Sequence, residues 1–343
     1  AAGTGTGGDR SQWDLYKKSG FCDILIFFYS YFKWRTSGFM LNHKFRIIFA
    51  CFFVCFISCK QHKNNERELS VFRYNESKGI NTLDPAFAKN QTVIWPVNQI
   101  FNGLVQLNDS LQVIPCLAKK WDISENGRIY TFILRGDVFF HPFPVNGKDI
   151  KRQMVASDVI YSLKRIGDDK IGSPGSWVFG FLDKSKYDRG FERINDSAIR
   201  IYLSRPFPPF LGVLSMQYCS VVLPEVVEYY GRDFGFHPVG TGPFYLKYWK
   251  DGEKLVLRKN PNYFEKDEQG NKLPYLEAVT ISFIADKQSE FMEFIKGNLD
   301  FISGVHQTYK DELITRSGKL SPKYASKIKM LTVPYLNTEY LGF

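Results

Sequence analysis

Short blocks of fixed residue type, strung in order from Leu83 to Asp300, constrain this chain more than any bulk property. The first stretch reads Leu83-Asp84-Pro85-Ala86, Gln99-Ile100-Phe101-Asn102-Gly103-Leu104-Val105 and Pro115-Cys116-Leu117-Ala118-Lys119-Lys120-Trp121. Gly127-Arg128-Ile129-Tyr130-Thr131-Phe132-Ile133-Leu134-Arg135 and Val138-Phe139-Phe140-His141 follow. Next come Ala156-Ser157-Asp158-Val159-Ile160-Tyr161-Ser162-Leu163-Lys164-Arg165 and Pro238-Val239-Gly240-Thr241-Gly242-Pro243-Phe244. Trp249, Arg258-Lys259-Asn260-Pro261-Asn262-Tyr263, Leu273-Pro274-Tyr275-Leu276 and Gly297-Asn298-Leu299-Asp300 complete the series.

Periodicity places these blocks on both kinds of element. Ser70 to Tyr74 and Ile129 to Leu134 are β-branched and aromatic. Ile199, Ile201 and Leu203 alternate with polar or amphipathic residues, as do Val279, Ile281 and Phe283, which predicts half-buried strands. Ser157 is placed to cap a helix whose apolar face is Val159, Ile160, Leu163 and Ile166. Asp286 or Ser289 would cap a second helix through Phe291, Met292 and Ile295, stopped by Gly297. Pro206-Phe207-Pro208-Pro209-Phe210 breaks the chain, and Gly-Pro clusters at 172–175 and 238–243 mark loops. Strands and helices that mix without strict alternation predict α/β lobes on mixed sheets, and 343 residues are long for one core.

The ordered blocks resemble the family 5 extracellular solute-binding proteins, the oligopeptide- and dipeptide-binding receptors of bacterial ABC importers. That resemblance implies a periplasmic-binding-protein-like α/β fold with an extra inserted subdomain. It assigns 69–101 and 225–334 to a main lobe, 102–224 to the inserted subdomain, and 335–343 to the start of a second lobe. The rest of that lobe is missing, so the resemblance implies a truncated receptor. It further implies a captured peptide, docking on permease subunits, no cofactor and no catalysis. Nickel-, haem- or sugar-binding relatives share the same blocks, and a peptide sensor that does not transport is a further alternative.

The resemblance also nominates half of a ligand cleft. Lys89, Asn90, Gln91 and Thr92 match a ligand-facing loop, Trp177 matches a cleft aromatic, and Ser303 and Gly304 match a turn that approaches the ligand. Lys89 stands where a well-known peptide receptor has an acid. The acid that meets a peptide's amino terminus would lie in the second lobe, beyond Phe343. Aromatics make up 16% of the chain, which fits either a ring-lined cleft or a general bias in composition.

Charge and cysteine usage bound the rest. Of 45 Lys and Arg and 35 Asp and Glu, seven and three precede Cys59, leaving 38 − 32 = +6 beyond it. The cations are scattered and no nucleic-acid-binding motif occurs, so nucleic acid is not an expected partner. The first methionine is Met40, and residues 1–39 read as an extension foreign to the protein. Residues 40–58 read as a lipoprotein signal peptide. His43, Lys44 and Arg46 are followed by 12 uncharged residues from Ile47 to Ser58, too few to span a bilayer. Phe56-Ile57-Ser58-Cys59 looks like a lipobox, with Cys59 the lipid attachment site and 59–68 a polar tether. A monomer held at the cell envelope, in the periplasmic space, is the expected form.

Cys51, Cys55 and Cys59 recur at helical spacing but sit in a Phe- and Ile-rich run without the polar surroundings of a metal site. Cys116 and Cys219 could form a bridge or be two buried thiols. His-Glu-x-x-His, Gly-x-Ser-x-Gly and Cys-x-x-Cys are all absent. Only His141 and His237 remain as an imagined metal or acid–base pair, against one loop residue each. Gly240-Thr241-Gly242 lacks the Lys-Ser/Thr or third glycine of a phosphate loop and is expected to make a tight turn into the sheet.

Overall fold

The computed structural model describes residues 70–145 and 148–332. The expectations for 1–39, for the 40–58 leader, for Cys59 and the 59–68 tether, and for 335–343 fall outside those residues. In chain order the elements are β1 (Val71–Asn75), α1 (Gln91–Ile100), β2 (Val105–Leu107), β3 (Val113–Pro115), β4 (Ala118–Ser124) and β5 (Ile129–Leu134). Then come β6 (Phe143–Val145), β7 (Lys148–Ile150), α2 (Ala156–Ile166), β8 (Phe191–Asn195) and β9 (Ala198–Tyr202). They are followed by α3 (Phe210–Leu214), α4 (Pro224–Tyr230), β10 (Phe244–Lys250), β11 (Lys254–Lys259), β12 (Ala278–Ser282), α5 (Lys287–Ile295) and α6 (Gln307–Leu313). No helix among the described residues is long and apolar enough to cross a membrane.

Two four-stranded sheets carry the fold, in the orders β1-β12-β11-β10 and β4-β5-β9-β8. The first is mixed: β1 runs parallel to β12, with Val71 opposite Ala278, and its other pairs are antiparallel. The second is wholly antiparallel and follows from alternation. Tyr130, Phe132 and Leu134 are buried on one face of β5, and Phe132 and Tyr130 lie opposite Ile199 and Ile201 of β9. A single apolar cluster reaches from Tyr74 and Val97 through these strands to Leu257 and Ile281. A smaller satellite gathers Phe291, Tyr309, Leu313 and Tyr324.

Helix termini depart from the sequence reading in instructive ways. Ser157 does not cap α2; the Asp158 carboxylate, buried at the third helical position, accepts from the Val155 amide at 2.8 Å. A longer acid reaching backward satisfies the same orphan donor that an N-cap hydroxyl would. Asp286, not Ser289, caps α5 by accepting from the Ser289 amide at 2.8 Å, and Gly297 ends that segment at φ 81°. Phe291 is buried beneath α5, but Met292 is exposed on its outer side.

The Gly240–Gly242 loop leads into β10 as expected, for a different reason. A Cβ on Gly242 would stand 2.5 Å from the carbonyl carbon of Ile100, so close backbone approach to the end of α1 demands glycine. His141 locks the same loop. Its amide donates to the Gly240 carbonyl at 2.8 Å, its Nε2–H donates to the Gly242 carbonyl at 2.9 Å, and its Nδ1 accepts from the Gly240 amide at 3.3 Å. With both ring nitrogens bonded to backbone, His141 has none left for a metal or a proton relay with His237. Asn260 Nδ2 donates to the Gly242 carbonyl at 2.9 Å, and Thr241 Oγ1 donates to Asn102 Oδ1 at 3.0 Å. Among the described residues Cys116 and Cys219 are free and buried and not bridged to each other, which overturns the bridge reading. Burial pushes the Cys116 thiol up to about 12 and the Cys219 thiol upward as well.

Complete burial holds the His141 imidazole at about 4, below its ordinary 6.5, because the cation would lose its hydration; the Gly242 carbonyl opposes this only in part. The unfolded chain therefore binds the extra proton first. Stability from this group is full above pH 6.5 and is lost as pH falls towards 4, by about 3 kcal/mol. Urea denaturation from pH 7 to 4 should show this slope in the native chain and lose part of it in His141→Gln. An unchanged slope would contradict the assignment.

Candidate ligand-binding face

The candidate face is built outward from one buried ion pair. Arg165, in the last turn of α2, donates to both oxygens of Asp84, Nη1 to Oδ1 at 2.8 Å and Nη2 to Oδ2 at 2.5 Å. Their side chains are only 9% and 6% exposed, so the pair works in a dry setting where the forked geometry matters most. Asp84 Oδ1 also accepts from the Ala86 amide at 3.0 Å, starting the short turn Pro85–Phe87. The guanidinium lies 5.5 Å from the centre of the Phe234 ring, and its Nε has no partner among the described residues.

That turn delivers the chain to α1. Asn90 is the N-cap, its Oδ1 accepting from the Val93 amide at 3.2 Å. Lys89, Asn90 and Gln91 are exposed and Thr92 is half-buried. Burial raises the Glu76 pKa; the Thr92 hydroxyl and the Lys287 cation nearby pull it back, while Glu290 adds to the rise. Glu290 is buried and tied to Asn75 Nδ2 at 2.9 Å and Lys287 Nζ at 2.7 Å.

The other nominated residues reach this neighbourhood by separate routes. Ser173 Oγ donates to the Ala86 carbonyl at 2.5 Å and Gln217 Nε2 to the Ala88 carbonyl at 2.7 Å. These bonds bring the Trp177 segment beside the Asp84–Asn90 turn. Gly175 packs directly on Tyr218, where a Cβ would sit 2.5 Å from Cγ. Trp177 itself projects from the short turn Ser176–Phe179 and is 53% exposed. Ser303 and Gly304 are exposed, follow Phe301, and turn at φ 74°. Phe301 bridges to Tyr74, and its ring lies 6.2 Å from that of Trp95.

Tyr74, Trp95 and Phe301, which the sequence reading did not single out, pack ring against ring beside the start of the Ser303–Gly304 turn. With Phe72, Gln99 and Val279 they line a groove of about 320 Å³. Trp95 stands one helical turn after Gln91, so the helical period alone could have found it. The arrangement offers ring surfaces and exposed polar ends along the carboxyl end of β1, where open α/β sheets place their ligands.

Removing Arg165 should leave Asp84 buried without a counter-charge. Arg165→Ala is expected to lower the unfolding free energy by about 3–5 kcal/mol, and Arg165→Lys by less, since a lysine keeps the charge but not the fork. Chemical denaturation measures this, and a loss below about 1 kcal/mol for the alanine variant would contradict a keystone role.

Comparison with known proteins gives one answer at every level. A profile described as "Bacterial extracellular solute-binding proteins, family 5 Middle" matches residues 112–343. The glutathione-binding protein GsiB of Salmonella choleraesuis is 27% identical over 220 residues, covering 64% of this chain and 39% of its own length. The periplasmic binding protein DppA of Helicobacter pylori, solved with the peptide STSA, superposes with TM-score 0.60 at 26% identity, covering 71% of this chain and 48% of its own. MoaA of A. tumefaciens R10, solved with mannopinic acid, gives TM-score 0.60 at 26% identity, over 71% of this chain and 47% of its own. The chain thus spans about half the length, or less, of the relatives it matches.

Proposed function

This chain belongs to the family 5 bacterial extracellular solute-binding proteins, and on that premise we propose that it forms one wall of a peptide-binding cleft in an ABC importer. The observation that supports the reading is the pair of hydrogen bonds from Ser173 and Gln217 to the Ala86 and Ala88 carbonyls, which set the segment leading to Trp177 beside the turn that opens on Lys89–Thr92. Peptides suit such a wall because exposed loop groups meet their backbone while rings and open space accept varied side chains. GsiB, named for glutathione, and DppA, solved with STSA, support a short-peptide ligand; mannopinic acid in MoaA supports a sugar-derived one as the second reading.

In this proposal the sheet β1-β12-β11-β10 belongs to a main lobe of 69–101 and 225–334, the sheet β4-β5-β9-β8 to a subdomain of 102–224, and a second lobe beginning at 335–343 closes over the ligand. The protein captures its ligand without turnover, as a monomer tethered at the cell envelope through acylated Cys59, and hands it to permease subunits. Asn90, Gln91, Thr92, Trp177, Ser303 and Gly304 touch the ligand.

One wall alone binds weakly, because the opposite wall supplies much of the buried area. The 343-residue chain is expected to hold di- to pentapeptides with Kd on the order of 1 mM. Saturation-transfer NMR should report contact with peptide, reduced at least about threefold by Trp177→Ala and Thr92→Val in folded protein. No transfer from any peptide, or transfer unchanged in both variants, overturns the reading. A separate expectation concerns the anchor: expressed in a bacterium, the protein should fractionate with membranes, and Cys59→Ala should release it to the soluble fraction. Equal partition of the two would refute acylation at Cys59.

A further inference from the structure

A second recess, lined by none of the nominated peptide-contacting residues, lies between the His141–Phe143 segment, α4 and the Phe236–Leu246 segment. Its volume is about 520 Å³, well within the range of small-molecule sites. Aromatic rings dominate its wall: Tyr229, Tyr230, Phe236, His237 and Tyr245. These rings are braced by neighbours. Tyr230 and His237 stack at 3.8 Å with planes 11° apart, and Tyr229 meets Tyr230 edge-on at 4.8 Å. Phe236 backs on Trp249 at 5.0 Å. Tyr245 lies 6.2 Å from the ring of His141, itself clamped by the Gly240–Gly242 backbone.

The charge of the recess has one sign. Among the described residues no lysine or arginine lines it, and Glu225 is its one carboxylate. Glu225 shares Arg152 with Asp158. The two terminal guanidinium nitrogens go to Asp158, at 3.1 and 2.8 Å, and only Nε reaches Glu225 Oε1, at 3.1 Å. One cation against two carboxylates leaves +1 − 2 = −1. Asp158 is buried and fully engaged, whereas the Glu225 side chain is 53% exposed and its Oε2 accepts no hydrogen bond among the described residues. The surplus negative charge therefore sits at the lip of a ring-lined cavity.

Electron-rich ring faces with one under-compensated carboxylate and no lysine or arginine in the lining are the recognition chemistry of an organic cation. An anion would find no donor group of positive charge there, and an uncharged apolar molecule would leave the Glu225 carboxylate partly desolvated without compensation. We propose that this recess is a second binding site, for a small alkylated ammonium compound, distinct from the peptide-facing wall.

The test uses the purified full chain and a matched pair of probes: choline, and 3,3-dimethyl-1-butanol, which has the same shape without the charge. Calorimetry should show one saturable choline site, with the uncharged analogue weaker by about tenfold. Tyr229 is 81% exposed, so Tyr229→Ala removes a wall of the site without touching the core. That variant and Glu225→Gln should each weaken choline binding by about fivefold, with unfolding midpoints unchanged for Tyr229→Ala. Excess peptide should not displace choline, which keeps the outcome independent of the peptide proposal. Binding of free choline assigns a soluble solute. Co-sedimentation with phosphatidylcholine vesicles without free-choline binding, abolished by Tyr229→Ala, assigns a lipid headgroup of the same chemistry. If neither probe form binds, if the uncharged analogue binds as well as choline, or if Tyr229→Ala and Glu225→Gln both bind as the parent does, the proposal is wrong.

Discussion

The buried pair of Asp84 and Arg165 sets the position of almost everything that faces the candidate cleft. Withdrawing two charges from water costs several kcal/mol per ion before their attraction returns it, so such a pair is a weak source of net stability. Its value lies in register. A forked guanidinium fixes one carboxylate orientation, which orients the turn at Pro85–Phe87 and turns the buried Ala86 and Ala88 carbonyls towards neighbouring segments. Ser173 and Gln217 read those carbonyls, so the Trp177 segment and the segment around Tyr218 are indexed to the start of α1. Exposed loops that must meet a ligand gain a fixed starting geometry from a salt bridge that never touches it.

A second frame does the same for the sheet. Asn102, His141, Gly240–Gly242, Asn260 and Tyr263 come from separate blocks of sequence yet join in one buried hydrogen-bonded net. This explains why the blocks could be read from the sequence at all. Each residue type in them is dictated by a partner: glycine by the approach of Ile100, histidine by one carbonyl and one amide, asparagine by a donor–acceptor pair. The strand signals were legible for a related reason. Residues 129–134 alternate because one face is buried, and β1 and β12 each fall within a residue of where the apolar pattern places them.

What escaped the sequence is what geometry alone creates. The cap of α2 was assigned to Ser157 because hydroxyls favour that role, but Asp158 reached back from within the helix. The bond from Asn75 to the buried Glu290 joins residues whose proximity depends on where β1 ends relative to α5. The ring-lined recess gathers residues 141–246 from three segments, none of which carries a block signature for binding. Exposed side chains without a backbone partner are not constrained by the fold, so they leave no local pattern to read.

The parallel pairing of β1 with β12 joins positions 71 and 278, roughly 207 residues apart along the chain. The opposite flank of β1 fares no better, since Arg73 bonds there to Asp300 and Tyr74 bridges to Phe301. Among the described residues, then, a strand made near the start of synthesis finds its neighbours only near the end. At ribosomal speeds of about 5–20 residues per second, β1 waits on the order of 10–40 s with both edges open. The sheet cannot seal while its distal strands are still being made, so the topology leaves β1 a strand with unpaired edges for most of the chain's synthesis.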